Sequence, residues 1–351
     1  MKYKPDWAEA RERLTALWNH ETLDRPCIAV IAPNGKKTPA PELPANLEDI
    51  WLNIEWVKKA YLAKLENTWW GGEAIPSYLT MGGWVLCLGG TPKFAQDTIW
   101  FEHVNIDFNG PSPFYYKDGD PWVEKYMALY NVIVEMAGKD DFLVGKPSNL
   151  PANDLFSMFM GTEEFLFSLI DHPEWMRNAI IKGAQEQLKL CRKIEKNICE
   201  KHDFWYGHGG WMCFWAPQPF TSTQSDVSCM LSPEMFEEFI MPEMDTLGQA
   251  YGALWYHLDG GNARQHLPRL LSLPYLKVLQ YVPAPCEPAN GPEHLDFYRT
   301  IQAAGKIVHI GVPKENVLPL VKSLDTSLLM LDVTCNSVEE GQALLKATKK
   351  A

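Results

Sequence analysis

Gly252-Ala253-Leu254-Trp255-Tyr256-His257-Leu258-Asp259-Gly260-Gly261 is the stretch from which the rest of the chain is read. Its first half is an apolar, strand-like run, and the glycine pair ends it. In an extended backbone, residues two apart point to the same side. His257 and Asp259 therefore converge at the end of a strand. Imidazole and carboxylate together can hold zinc, or they can form a hydrogen-bonded pair. The plainer reading is a turn in which Asp259 caps the following helix and His257 only packs.

Outward from this stretch, the chain alternates between short apolar runs and helical patterns. Downstream, strands are expected at 277–282, 306–310 and 328–333, with helices at 262–272, 293–304, 314–323 and after Ser337. Upstream, strands are expected at 27–31, 142–145 and 204–207. Helices are expected at 6–20, 47–67, 122–137, 162–170 and 173–201, and from Ser232-Pro233-Glu234, which reads as an N-cap, a proline at the first helical position and an acid in the first turn. Successive strand–helix units argue for a parallel sheet in an α/β protein. The best single architecture is a closed (β/α)8 TIM barrel forming one domain over 1–351. A doubly wound open sheet is the alternative, but no Gly-x-Gly-x-x-Gly loop follows any strand. Residues 33–125, with the Trp- and Gly-rich segments around Trp69-Trp70-Gly71-Gly72 and Met81-Gly82-Gly83-Trp84, are expected to lie as a lid over the C-terminal mouth.

Barrel chemistry sits just past the C-terminal ends of strands. That rule selects Asn149, the His208 region, His257, Asp259, Gln280, Tyr281, the loop after His309, and Cys335. Asn149, Trp205, Trp211, Gln280 and Tyr281 are the candidate substrate contacts. Asp226 is a candidate catalytic residue beside His257 and Asp259, able to hold a substrate amine or orient a ligand histidine, or simply to cap a helix. His309 stands at mid-strand and reads as a packed or hydrogen-bonded core histidine.

Composition sets the outer limits. Of 351 residues, 46% are hydrophobic and 22% charged, the balance of a soluble globular protein. The net charge of −12 makes nucleic acid and anionic membranes poor partners. Fourteen Trp are enough to line a pocket as well as a core, and a wall of Trp205, Trp211 and Trp215 suits a methylammonium by cation–π attraction or an aromatic ring by stacking. No apolar run reaches membrane length, and Met1-Lys2-Tyr3-Lys4-Pro5-Asp6-Trp7 runs straight into a charged helix rather than an export signal. The eight Cys are scattered without Cys-x-x-Cys pairs, so free thiols and a cytoplasmic location are expected.

Gln224-Ser225-Asp226-Val227-Ser228 followed by Ser232-Pro233-Glu234-Met235-Phe236-Glu237-Glu238-Phe239 resembles the central segment of the uroporphyrinogen decarboxylase superfamily, which includes the zinc-dependent, corrinoid-linked methyltransferases. Asp24-Arg25-Pro26, His257-Leu258-Asp259 and Leu331-Asp332-Val333-Thr334-Cys335 extend the resemblance over nearly the whole chain. It implies a (β/α)8 barrel. In the methyltransferase branch, zinc is held by a His-x-Cys pair and a second Cys before the last helix. Carried over, His257 and Cys335 match, and Asp259 stands where the first Cys would be. A carboxylate in place of a thiolate leaves zinc a harder Lewis acid. The decarboxylase branch carries an Arg-rich stretch after its first strand, whereas this chain reads Ala32-Pro33-Asn34-Gly35-Lys36-Lys37. An Asp-x-His-x-x-Gly corrinoid signature is absent, so any corrinoid would arrive on a separate protein.

The expectation is therefore a zinc-dependent methyltransferase of small-molecule C1 metabolism, working with a corrinoid protein or a thiol acceptor, with zinc on His257, Asp259 and Cys335. A metal-free decarboxylase or lyase using His257 and Asp259 as an acid–base pair is the second expectation. A non-catalytic small-molecule-binding barrel is the third. A homodimer is expected from the resemblance.

Overall fold

The computed structural model describes residues 1–78, 87–138, 141–145, 151–199 and 212–349. Asn149, Trp205, His208, Trp211, the 81–84 segment and the strand expected at 204–207 lie outside the described residues.

The strands are β1 (Cys27–Pro33), β2 (Thr68–Gly72), β3 (Ser77–Tyr78), β4 (Pro92–Phe94), β5 (Ile99–Phe101), β6 (Leu143–Val144), β7 (Thr221–Gln224), β8 (Leu254–Asp259), β9 (Leu276–Val282), β10 (Ile307–Gly311) and β11 (Leu329–Thr334). Seven of them form one sheet in the order β2-β1-β11-β10-β9-β8-β7. Every pairing in it is parallel except β2 with β1. The protein is thus α/β with a mostly parallel sheet. Among the described residues β2 and β7 are its edges, and no ladder joins them. β3 pairs with β6, and β4 with β5, as two small separate sheets.

β8 to β11 form where apolar, strand-like runs were expected, and they are nearly all buried. β7 is different. Its sequence Thr-Ser-Thr-Gln has no apolar residue, yet all four positions are buried. A polar run reads as loop, so the expected long loop before Ser232 contains a strand. β2 was also expected as loop. Its glycines serve packing: the Trp69 indole lies over the α-carbons of Gly71 and, in the last helix Val338–Thr348, Gly341, where an added Cβ would meet the ring at 2.2 and 2.4 Å. Trp69 thereby clamps the terminal helix to the sheet edge.

The helices start where the caps indicate. Ser232 accepts from Met235 N at 3.2 Å ahead of Pro233, and Ser337 accepts from Glu340 N at 3.2 Å. The 47–67 pattern is two helices, Glu48–Leu52 and Ile54–Asn67, because Asn53 is extended and caps the second by accepting from Trp56 N at 3.1 Å. Helix Met241–Tyr251 ends on Gly252, whose φ of 74° turns the chain into β8 at no steric cost. Helix Ala152–Met160 was not expected and is the one that brings Asp154 to the site. The 99–114 segment packs on its outer side through Phe101–Phe159 and Phe114–Phe156 ring contacts.

Arg25 is consumed by the core. Its guanidinium binds both oxygens of fully buried Glu73, at 2.6 and 2.8 Å, and Glu73 also accepts from Ile28 N at 2.8 Å. This buried pair ties the entry of β1 to the turn after β2.

Candidate functional site

Parallel register aligns one polar side chain from each of four neighbouring strands. Gln224 on β7 pairs with His257 on β8, His257 with Gln280 on β9, and Gln280 with His309 on β10. Equal register places these side chains on one face of the sheet. All four are buried.

His257 and Gln280 are joined through Nδ1 and Oε1. With the amide oxygen accepting, Nδ1 carries the proton and Nε2 the lone pair, the tautomer a metal ligand needs. Burial lowers the His257 pKa, against the Gln280 bond and Asp259, which raise it. A neutral imidazole is therefore favoured. Gln280 Nε2 is buried and has no partner among the described residues.

Asp226 opens a short 3-10 helix, Asp226–Met230, directly after β7. It meets His257 and Asp259 so closely that one ligand atom from each lies within 4.8 Å of the others. Behind them sits a fourth group. Asp154 accepts from Asp226 N at 3.0 Å, Val227 N at 3.2 Å and Gln224 Nε2 at 3.4 Å. The same Gln224 Nε2 donates to Asp226 at 2.8 Å. Asp154, and not Asp226, thus caps the short helix. Burial raises Asp154 to about 6, against those hydrogen bonds. Asp226 is open to solvent at its edge but enclosed by the surrounding protein, and that enclosure, then Asp154, then Asp259, raise it to about 8. Helix Ala152–Met160 is held in turn by buried Glu243, which accepts from Ala152 N at 2.6 Å and Asn153 Nδ2 at 3.1 Å and is itself raised by burial to about 8. Asp154, Gln224, Asp226, Ser157, Met158 and Met230 line a recess of about 230 Å³ beside the cluster.

No Lys or Arg forms an ion pair with Asp154, Asp226 or Asp259 among the described residues. Three carboxylates without a counter-charge are the electrostatic setting of a cation site. The donor set is two carboxylates and one imidazole, which suits zinc or a harder divalent ion. Ligands about 2.1 Å from a tetrahedral ion stand roughly 3.4 Å apart, so atoms up to 4.8 Å apart need to close by at most about 1.4 Å.

The other expected residues are placed as follows. Cys335 is buried after β11, three strands from β8, and is not in this cluster. Its nearest charges are Glu340 and Lys314, and burial raises its pKa. β9 and β10 lie between the 257–259 and 335 segments, and the group beside His257 and Asp259 is Asp226. Tyr281 is also displaced from the expected site. Side chains alternate along β9, so it cannot share a face with Gln280. Its hydroxyl accepts from Arg264 at 2.6 Å and donates to Glu287 at 2.8 Å, and its ring packs on Phe297 in the helix layer. Trp215 is buried edge-on against Trp7 at 5.9 Å and belongs to the packing of the first helix. His309 is fully buried and hydrogen-bonded at both nitrogens, as expected of a core histidine. Sequence reading missed Gln224 and Asp154 as site residues. Asp154 had no signal, since its helix was not recognised. Gln224 stood in the quoted motif, two residues before Asp226.

No protein-family model and no curated protein matches the chain. Among solved structures, the fold is similar to that of a methyltransferase from Methanosarcina mazei, with a TM-score of 0.60 over 97% of this chain and 98% of that one, at 12% identity. At that identity the likeness is one of fold. No described helix is long and apolar enough to cross a membrane.

Proposed function

We propose that this chain is a metal-dependent enzyme of the methyltransferase type, with Asp226, His257 and Asp259 as the ligands of one divalent ion, zinc in the first instance. The single observation that carries the reading is the convergence of these three donors within 4.8 Å at the C-terminal ends of two adjacent parallel strands. The parallel order and the fold likeness support a (β/α)8 barrel, in which that edge is the working mouth. The seven described cysteines carry free thiols, which suits a cytoplasmic setting.

A bound ion would supply Lewis-acid polarisation of a substrate heteroatom or lower the pKa of an acceptor. The chain's own residues prepare that chemistry. Gln280 fixes the His257 tautomer. Gln224 holds Asp226 and Asp154 together. Asp154 stands behind Asp226 as a second carboxylate able to take up the proton a bound acceptor releases. The recess lined by Met158 and Met230 offers apolar room next to the polar cluster. The methyl group would pass to a thiol acceptor or to a corrinoid on a separate protein.

A second reading rests on the placement of Asp226 beside His257, where enclosure and the neighbouring Asp154 push the Asp226 carboxyl up to about 8. A carboxyl that stays protonated at neutral pH is a general acid, and with His257 it would serve metal-free lyase chemistry. Metal stripping separates the two. Chelator-treated protein that is inactive and is restored by zinc supports methyl transfer, whereas undiminished activity on a carboxylated substrate supports the lyase.

A further inference from the structure

Trp255, His309 and Asp332 form a chain of hydrogen bonds across β8, β10 and β11. Trp255 Nε1 lies 3.0 Å from His309 Nδ1, and His309 Nε2 lies 2.9 Å from Asp332 Oδ1. Its direction is fixed by chemistry. An indole N–H can only donate, so Nδ1 accepts and the ring proton sits on Nε2, from which it is donated to Asp332. The histidine is committed at both ends and is itself fully buried. It orients the carboxylate without cancelling its charge. Asp332 is 27% exposed and pairs with no Lys or Arg among the described residues.

Space lies in front of it. In the sheet register Asp332 is flanked by Ala29 on β1 and Gly311 on β10. Among the described residues, no atom lies within 4 Å of the point where a Cβ on Gly311 would stand. The fixed carboxylate thus stands beside an opening, with small residues on either hand. Gly311 lies two residues beyond the His309–Gln280 pair, and Asp259 two beyond His257, so both carboxylates occupy the same level of one sheet face. They are three strands apart, roughly 14 Å along the sheet at about 4.8 Å per strand.

We propose that Asp332, positioned by the Trp255–His309 relay, is the binding site for a cationic ammonium group of the substrate. This names a substrate class for the mouth described above and rests on that reading for its location, but not on the metal. A half-buried carboxylate without a counter-charge favours a cationic ligand. No group of three metal-capable side chains among the described residues includes Asp332, so an organic cation fits the site better than a metal ion held by the protein. An organic cation needs only the charge and the room, which the Asp332 carboxylate and the open flank at Gly311 supply. The substrate is then an alkylammonium compound long enough to present its reacting atom towards Asp259.

The test is calorimetric titration with choline, tetramethylammonium and the uncharged carbon isostere of choline, with and without zinc. The full-length protein should bind both cations and bind the isostere at least about tenfold more weakly. Asp332→Asn should lose about tenfold or more for the cations alone. Gly311→Leu, whose Cβ has no described atom within 4 Å, should fill the opening and weaken binding of all three probes. His257→Ala should lose zinc and still bind choline, which separates this claim from the metal reading. Undetectable binding of both cations, equal binding of choline and its isostere, or an unchanged affinity in Asp332→Asn overturns the proposal. Loss of zinc in Asp332→Asn would also overturn it, because the carboxylate would then belong to the metal site.

Discussion

His257 and Gln280 stand side by side in register on β8 and β9, joined from ring nitrogen to amide oxygen. This bond decides which imidazole nitrogen faces the neighbouring carboxylates. Removing an outer-shell partner of this kind typically weakens metal binding 10- to 100-fold. Gln280→Leu should therefore lower zinc affinity by about that factor while leaving the fold intact, since Gln280 Nε2 is already unpartnered. Competition with a chromophoric chelator measures it. An unchanged affinity means that Gln280 is core filling only.

The carboxylates predict a pH dependence. Asp154, Asp226 and Glu243 all have folded pKa values raised above those of the free side chains, to about 6, 8 and 8. Between pH 4 and 8 the folded state then binds more protons than the unfolded one, so stability is greatest at low pH and falls as pH rises. Metal-free protein should melt at progressively lower temperature from pH 5 to pH 8.5, and Asp226→Asn should flatten the upper part of that slope. Zinc affinity should rise over the same window, because the ion must displace the Asp226 proton. A melting temperature that climbs with pH in metal-free protein is incompatible with these assignments.

Glu73 is fully buried and holds Arg25 bidentately. Glu73→Ala leaves a buried guanidinium with one partner fewer and should cost about 3–5 kcal/mol, the usual penalty for breaking rather than replacing a buried pair. Urea denaturation measures it. A loss below 1 kcal/mol would show that water reaches Arg25.

Thr223 in β7 has a buried hydroxyl without a partner among the described residues. Thr223→Val keeps the shape and removes that polar atom, so it should be neutral or stabilising by about 1 kcal/mol. Differential scanning calorimetry checks the sign. Clear destabilisation would mean that the hydroxyl makes a bond.

Where the fold was legible, burial and period coincided. β8 to β11 are mostly apolar and buried, and their helices carry caps and glycine stops, so pattern and structure agree within a few residues. β7 was illegible because its buried positions are hydroxyls and an amide, whose environment is supplied by tertiary neighbours rather than by local sequence. Helix Ala152–Met160 was missed for a related reason: its first turn, Ala-Asn-Asp, reads as loop and is stabilised from outside by Glu243, about 90 residues away. For the site, the two-residue spacing of His257 and Asp259 was enough to put both on one face. The third member of the cluster, Asp226, was not readable from spacing, since it depends on which strands are neighbours. Gln280 and Tyr281 show the limit of naming consecutive residues at a strand end: only one of them can face the mouth.

Elemental analysis of chelator-free protein and two single variants tests the central claim most directly. Wild-type protein should carry about one divalent ion per chain. Asp226→Ala should lose most of it, and Cys335→Ser should retain it, because Cys335 lies three strands away from His257. Metal lost from Cys335→Ser and kept in Asp226→Ala would contradict the account and return the third ligand to the thiolate.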